Sequence, residues 1–296
     1  MFSVGTPGNQ PKAWITMMQH AVTAGFRVLA IDFGSMVSAY PNLLADDAWE
    51  QHIDALAETA SAMQAEFVQA NLPFHDDLLV YGRCPDAQSI AHLQEMIRRS
   101  ILACARLGIK WAVVRPLTDT VNGEFDNTVN LASNHAFYEQ YVTLAEQNGV
   151  GLAFENMPEF SLTETLRRYC ATPEELIELV DSFNSDAVGI CWDFGHAHSI
   201  LRDHPAALRL IGSRLKAVHA RDNKPTVDAH LIPFIGGNIK WEVLMPVLTE
   251  IGYTGDFVLD ACDYMRNIPQ ALRPSAAKLA YELSMHCLSF AESGEN

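Results

Sequence analysis

The stretch that decides the fold is V-G-I-C-W-D at residues 188–193, which runs directly into F-G-H at residues 194–196. A short apolar run bounded by polar residues is typical of a buried β-strand. Successive side chains of a strand point to opposite faces, so the glycine, the cysteine and Asp193 share one face. The isoleucine and the tryptophan occupy the other. The strand therefore has one face of small residues, and that face ends on a carboxylate.

Three other predicted strands repeat this arrangement of small and bulky faces. G-L-A-F-E ends on Glu155, L-K-A-V-H-A-R carries His219 near its end, and F-V-L-D-A carries Asp260. In each strand the polar residue lies on the same face as the smaller residues. Roughly one strand–helix unit separates each polar residue from the next, which predicts that the four strands are consecutive.

Strands and amphipathic helices alternate along the whole chain. The predicted strands are residues 26–32, 70–75, 111–116, 150–156, 188–193, 215–221 and 257–261. The predicted helices are residues 47–67, 90–107, 130–147, 205–212, 241–251, one that begins with a capping box at Thr172 and Glu175, and a C-terminal helix. Strand and helix recur about eight times, which predicts an α/β fold, a (β/α)8 TIM barrel formed by a single domain over residues 1–296.

Composition excludes several other classes of protein. The chain has 296 residues, of which 49% are hydrophobic, so a dominantly disordered state is excluded. Its net charge of -16 argues against a general affinity for nucleic acid. No G-x-G-x-x-G loop follows a strand, no cysteine pair is spaced as C-x-x-C, and no apolar stretch is long enough to span a membrane. We expect a cytoplasmic protein with reduced thiols.

Glu155, Asp193, His219 and Asp260 form a candidate metal site. In a barrel the small-residue face is the interior, and residues at the carboxyl ends of the strands meet at one mouth. Each residue alone is typical of an ordinary strand end, but four in phase favour convergence. Three carboxylates and one imidazole suit one divalent ion such as Mn²⁺, Mg²⁺, Co²⁺ or Zn²⁺.

Further polar residues are expected around the same rim and are predicted to bind substrate, namely His75, Arg115, His196, Arg221 and His230. His75 and Arg115 end two earlier strands, and His196 follows Asp193 by three residues. Arg221 shares the face of His219. Asp228 and His230 are expected in a loop after the strand at 215–221. His230 also begins the segment H-L-I-P-F-I-G-G-N-I-K-W at 230–241, whose glycines are either an ordinary turn or a place where backbone N–H groups meet an anionic or polyhydroxyl ligand.

Together these motifs resemble the xylose isomerase-like barrel superfamily of sugar isomerases and epimerases, which is related to endonuclease IV. F-E-N, W-D-F-G-H-A-H, V-H-A-R-D, D-A-H-L-x-P-x-x-G-G-x-I-x-W and the strand bearing Asp260 occur in family order. The resemblance runs over nearly the whole chain and is strongest from 150 to 262. The motifs are specific for the superfamily and not for one substrate.

The resemblance to the isomerase and epimerase branch implies roles for particular residues. One divalent metal is bound by Glu155, Asp193, His219 and Asp260, while His196 and Arg221 hold substrate oxygens. Glu155 and Asp260 then exchange protons with a small sugar or sugar phosphate through a cis-enediolate. The last ligand of that branch is usually Glu, so the shorter Asp260 makes proton abstraction at this position less secure.

Other activities of the superfamily remain open at this point. A dehydratase of a keto-polyol, of the inosose or dehydroshikimate type, shares the abstraction of a proton next to a carbonyl. An endonuclease-like trinuclear zinc site shares the residues Glu155, Asp193, His196, His219, Asp228, His230 and Asp260, with His75 as an additional candidate. That pattern needs a His where this chain has Arg115, so it ranks third, behind an isomerase or epimerase and a dehydratase. A non-catalytic sugar-binding relative is the remaining alternative.

The expected partner is a small polyhydroxylated substrate, with no nucleic acid or membrane, and relatives often form dimers or tetramers.

Overall fold

A computed structural model describes residues 2–4, 11–34, 43–74, 87–121, 124–160, 167–200, 203–224, 227–260, 264–265 and 267–292. Eight parallel strands form a closed barrel. They are β1 (Phe2–Val4), β2 (Val28–Asp32), β3 (Glu66–Asn71), β4 (Trp111–Val114), β5 (Gly151–Glu155), β6 (Val188–Asp193), β7 (Leu215–Ala220) and β8 (Phe257–Leu259). The predicted (β/α)8 barrel is confirmed.

The strands follow one another around the barrel in chain order. β1 pairs with β2 on one side and closes the barrel against β8 on the other, where Phe2 lies opposite Leu259. β6 pairs with β7 so that Asp193 lies opposite His219. This register brings the ends of neighbouring strands to the same height, which places their last side chains at one mouth.

Most of the described helices cover the outside of the barrel, and one, Phe194–Ile200, lies at the mouth directly after β6. The helices are α1 (Pro11–Ala24), α2 (Trp49–Ala62), α3 (Ala87–Leu107), α4 (Asn127–Gln147), α5 (Pro173–Ser182), α6 (Phe194–Ile200), α7 (His204–Ile211), α8 (Trp241–Glu250) and α9 (Arg273–Glu292). Short 3-10 turns occupy Gly212–Arg214 and Gln270–Leu272. Two small antiparallel hairpins pair Thr120–Val121 with Glu124–Phe125 and Asp222–Lys224 with Val227–Leu231.

The two faces of the strands have different environments, as the alternation of small and bulky residues predicts. Leu152, Phe154, Ile190 and Trp192 belong to a large apolar layer between the barrel and its helices. Inside the barrel a separate small cluster joins Val113, Ala153, Cys191 and Ala217, with Trp111 against it. Gly151 has no side chain because a Cβ there would lie 2.3 Å from the Trp111 ring. Small residues on this face are therefore what the narrow interior admits.

The helix predicted over 47–67 and the strand predicted over 70–75 have the wrong bounds. The helix ends at Ala62 and the strand is Glu66–Asn71. Gln64 has a φ of 56°, so the backbone leaves the helix there in a left-handed conformation. Met63 and Phe67 continue the helical spacing of the preceding apolar residues, so periodicity alone does not reveal this turn.

Two local predictions need correction. Thr172 caps α5 by accepting a hydrogen bond from the Glu175 backbone N–H at 3.4 Å, as predicted. The Glu175 carboxylate, however, accepts from Arg167 Nη1 at 2.6 Å, so the second half of the capping box is replaced by an ion pair. The segment after β7 that was expected to be a loop forms the hairpin strand Val227–Leu231, which contains His230.

Candidate active site

Glu155, Asp193, His219 and Asp260 lie together at the mouth formed by the carboxyl ends of the strands. Glu155 and Asp193 are the last residues of β5 and β6, His219 is one residue from the end of β7, and Asp260 directly follows β8. The first three are buried, and the Asp260 side chain is 13% exposed. The strand positions explain why they converge, since β5 to β8 are adjacent in the barrel.

The ligand atoms of these residues are close enough to hold a metal ion. Atoms of Asp193, His219 and Asp260 lie within 4.8 Å of one another, as do atoms of Glu155, Asp193 and His196. Three carboxylates with imidazole nitrogens are the donor set that hard and borderline divalent ions prefer. The buried residues therefore fit a divalent metal.

Cys191 was not predicted to belong to this site. Its sulfur lies within 4.8 Å of ligand atoms of Glu155 and His219. Burial raises the pKa of the Cys191 thiol to about 11, so the neutral thiol is the stable form near neutral pH. Metals bind the thiolate, so the oxygen and nitrogen ligands are the better donors. The sequence shows that Cys191 lies two residues before Asp193 on the same strand face. A small residue on that face is also expected for packing alone, so the position did not indicate a site residue.

Glu155 is held by two cationic partners. Its Oε1 contacts His219 Nδ1 at 2.5 Å, and its Oε2 accepts from Arg115 Nε at 3.1 Å. Burial opposes ionisation of Glu155, but the charge and hydrogen bond of His219 and the charge of Arg115 outweigh it and hold the pKa below its usual range. Burial likewise disfavours the charged imidazole, yet contacts with Cys191 and Glu155 raise the pKa of His219 well above its ordinary value. Without a metal the pair is therefore a carboxylate beside a protonated imidazole, and a metal bound to His219 would displace that proton.

Asp193 is bound by Arg221, which is itself completely buried. Arg221 Nε lies 2.9 Å and 2.7 Å from the two carboxylate oxygens, and the backbone N–H of His196 donates to Oδ1 at 2.8 Å. Gly195 leaves room for this arginine, because a Cβ there would lie 2.9 Å from Arg221 Cγ. The predicted contact of Arg221 with substrate stays a prediction; its Nε faces Asp193.

Asn156 was missed as a site residue although it belongs to the quoted F-E-N motif. Its Oδ1 accepts from the Asp193 backbone N–H at 2.6 Å, and its Nδ2 donates to the Asp193 carbonyl at 3.1 Å. Its own carbonyl lies 2.8 Å from His196 Nδ1. Asn156 thus links the ends of β5 and β6 and orients His196, a residue predicted to bind substrate. Its position directly after Glu155 was the feature of the sequence that could have identified Asn156 as a site residue.

Asp222, in the quoted V-H-A-R-D motif, was also missed. Its buried carboxylate accepts from the backbone N–H groups of Asn223, Phe234 and Ile239 and from the Trp241 indole, at 2.9, 3.1, 3.0 and 3.2 Å. A Cβ at Gly237 would lie 2.0 Å from Asp222 Oδ1. Gly237 thus permits the close approach of the loop to Asp222, and two of the loop's N–H groups are already used by this carboxylate.

The remaining predicted rim residues have different surroundings. Arg115 lies beside Glu155, with its guanidinium 4.1 Å above the Phe74 ring. His230 Nδ1 lies 3.3 Å from Asp260 Oδ2. Burial opposes ionisation of Asp260, but the hydrogen bond and charge of His230, with further charges of His219 and Arg221, lower the pKa of Asp260. His75 lies outside the described residues, as does the side chain of Asp228.

Comparisons with known proteins agree with this architecture. Residues 18–281 match the family model described as Xylose isomerase-like TIM barrel. The uncharacterized protein MJ1311 of Methanocaldococcus jannaschii is 31% identical over 235 residues, which cover 71% of this chain and 72% of that protein. Across the described residues, no helix has the length and apolar character needed to cross a membrane.

Two solved structures have the same fold. A D-tagatose 3-epimerase-like protein superimposes with a TM-score of 0.73 and 22% identity, covering 99% of this chain and 98% of the other. An L-ribulose 3-epimerase superimposes with a TM-score of 0.74 and 17% identity, covering 98% and 93%. At these identities the likeness establishes the shared barrel alone.

Proposed function

Because the chain belongs to the Xylose isomerase-like TIM barrel family, we propose that it is a divalent-metal-dependent isomerase or epimerase of a small ketose or ketose phosphate. The observation that carries this proposal is that ligand atoms of Asp193, His219 and Asp260 lie within 4.8 Å of one another at one mouth of the barrel, while Glu155 belongs to two further groups that share Asp193 or His219 with them. The two solved structures compared above are a 3-epimerase-like protein and a sugar 3-epimerase, which supports sugar chemistry for this site.

Those four residues would hold the ion. A bound divalent cation would polarise the substrate carbonyl and its neighbouring hydroxyl and stabilise the negative charge that develops when a proton is removed. The protein supplies the shape and the protonation states. Asn156 fixes the height of Asp193 relative to Glu155, and Arg221 holds the Asp193 carboxylate from within the barrel.

Proton transfer is assigned to Glu155 and Asp260. They lie at the ends of β5 and β8, with β6 and β7 between them, so they approach the mouth from separate sides. The lowered pKa of each carboxyl group keeps both in the basic form. One carboxylate removes the proton next to the carbonyl, and the other, once it has taken up a proton from solvent, protonates the opposite face, which inverts that carbon. Return to the neighbouring carbon instead would give isomerisation.

A dehydratase of a keto-polyol is the second candidate. His230 Nδ1 lies 3.3 Å from Asp260 Oδ2. An imidazole paired with a carboxylate can donate a proton to a departing hydroxyl, whereas epimerisation needs no leaving group. Both reactions begin with the same proton abstraction. They differ only in whether a proton then returns to carbon or a hydroxyl departs as water.

Two measurements test the proposal. Elemental analysis of protein purified without chelator is expected to find about one divalent ion per chain, whereas an endonuclease-like site needs about three. Ketoses and keto-polyols incubated with the protein in deuterated water are expected to exchange the hydrogen next to the carbonyl. Epimerised ketose would identify the first candidate, and loss of water the second. Absence of exchange with every compound, in protein reconstituted with metal, would contradict both and favour a sugar-binding role.

A further inference from the structure

Arg115 is held at the mouth of the barrel in a defined position. It directly follows β4, and its backbone carbonyl accepts from the Tyr138 hydroxyl at 2.6 Å. Its guanidinium lies over the Phe74 ring, at 4.1 Å from the ring centroid, while Nε donates to Glu155 Oε2 at 3.1 Å. The side chain is 28% exposed, so it reaches the open space of the mouth. The Phe74 ring and the Glu155 carboxylate thus hold the Arg115 guanidinium in one orientation.

The guanidinium keeps donors for another acceptor. Only Nε is engaged by a described residue; within the described ranges no acceptor is hydrogen-bonded to either Nη nitrogen. Arg221, the other arginine of the mouth, differs because it is completely buried and its Nε is directed at both oxygens of Asp193. A planar fork with accessible Nη groups suits a carboxylate or a phosphate, since it can donate two parallel hydrogen bonds.

Charges of both signs surround Arg115. Burial and the nearby positive charge of Arg221 disfavour its charged form, whereas Glu155, Asp260 and Asp32 stabilise it. Glu155 and Asp260 are also proposed metal ligands, so an ion bound to them competes with Arg115 for their negative charge. With a metal bound, the positive charge of Arg115 would be less fully neutralised by these carboxylates, which would favour a negatively charged group nearby.

We infer that the substrate carries an anionic substituent, a carboxylate or a phosphate, and that Arg115 binds it. The inference rests on the proposed function and narrows it from ketoses in general to anionic ketoses. Arg115 is then the residue that determines specificity, because a neutral ketose leaves its Nη groups without the charged acceptor.

The experiment compares three ketoses that share one carbon skeleton. D-fructose, D-fructose 6-phosphate and D-fructuronate differ at C6, which carries a hydroxyl, a phosphate or a carboxylate. Hydrogen exchange in deuterated water is measured as kcat/KM with protein supplied with Mn²⁺. We expect one or both anionic ketoses to be preferred over D-fructose by about 10- to 100-fold, the usual worth of hydrogen bonds to a charged partner. The anionic ketose with the higher kcat/KM shows whether Arg115 binds a phosphate or a carboxylate.

Arg115→Met is expected to abolish this preference. Arg167→Met is the matched control, because Arg167 also lies over a phenylalanine ring, at 4.4 Å from that of Phe125, and pairs with Glu159 and Glu175. It should leave the preference unchanged. Arg115→Gln repeats the test with a side chain that still donates a hydrogen bond to Glu155, should the methionine variant fail to fold.

Equal or faster exchange of D-fructose would overturn the inference and leave the proposed function standing. A preference for anions that survives Arg115→Met or Arg115→Gln would also overturn it, because another cation would then provide the selectivity. The panel is extended to matched free and phosphorylated ketopentoses. No exchange with any member of the extended panel would overturn the inference and the proposed function together.

Discussion

The two faces of the same strands perform different tasks. On β5 and β6 the outer residues Phe154 and Trp192 pack under the helices, whereas Glu155 and Asp193, one residue further on, face the interior with their charges buried. Burying apolar surface stabilises the fold without any particular partner. A buried charge must instead be matched atom by atom. The inner face therefore carries groups that chemistry can use, and the outer face carries most of the packing.

The largest expected effect tests the inner face. Glu155→Gln keeps the shape of the side chain but removes the base, so hydrogen exchange should fall by about 10²–10⁴-fold. Metal occupancy should fall much less, as measured by elemental analysis of the same preparation. Glu66→Gln, at the exposed start of β3, is the control and should exchange normally. If exchange and metal content fell in parallel, Glu155 would be a ligand without a role in proton transfer.

The corresponding change on the outer face should affect stability. Phe154 is fully buried, with its ring 4.9 Å from that of Tyr138 and 5.5 Å from that of Phe183. Phe154→Ala should lower the free energy of unfolding by about 3–5 kcal/mol, because it leaves a cavity. Denaturant titration measures this, with Phe160→Ala at a half-exposed ring as the near-neutral control. Exchange per folded molecule should stay close to that of the unchanged protein.

Asp193 lies on the inner face, but its substitution should lower the free energy of unfolding as much as a substitution on the outer face. Asp193→Asn leaves Arg221 buried without its carboxylate, and removing one partner of a buried ion pair costs about 3–5 kcal/mol. Asp181→Asn breaks a similar Arg–Asp pair at the surface, for which about 0–1 kcal/mol is expected. Both free energies of unfolding are measured with chelator present. Equal losses would show that Arg221 finds another partner.

A buried histidine on the helical side provides a pH test. Burial, with the nearby charge of His198, lowers the pKa of His204 to about 4. The unfolded chain takes up a proton near its ordinary pKa of 6.5 and the folded chain does not, so stability falls as the pH drops from 6.5 towards 4, by up to about 3 kcal/mol. His204→Gln should remove this acid slope, measured by denaturant titration, and the exposed His286→Gln should retain it. An unchanged slope in His204→Gln would assign the acid sensitivity to other groups.

The smallest effect is expected from Asp260→Glu. This substitution restores the side chain usual in the isomerase and epimerase branch, so metal content should stay near that of the unchanged protein. Exchange should change by about tenfold or less, the scale of a small displacement of a catalytic group rather than of its loss. Asp260→Asn, which removes the charge, is the damaging counterpart. An empty metal site in Asp260→Glu would mean that the mouth, with His230 at 3.3 Å, is built around the shorter carboxylate.

The sequence by itself determined the barrel and the convergence of its four metal-binding candidates. Both follow from periodicity. Alternation of period two assigns each residue of a strand to a face, and a parallel barrel brings the carboxyl ends of all strands to one mouth. Glu155, Asp193, His219 and Asp260 could therefore be grouped without knowing any distance. Periodicity was insufficient near Met63, where a turn interrupts an apolar spacing that continues across it.

Only the tertiary structure decided which partner each polar group takes. Arg221 could have faced solvent, but a narrow interior and the absence of a side chain at Gly195 place it against Asp193. Asp222 accepts hydrogen bonds from donors as far along the chain as Trp241, and Arg115 contacts Phe74, which follows β3, and Glu155, which ends β5. Hydrogen bonds depend on distances of a few tenths of an ångström between segments far apart in the chain, and no local pattern encodes those distances.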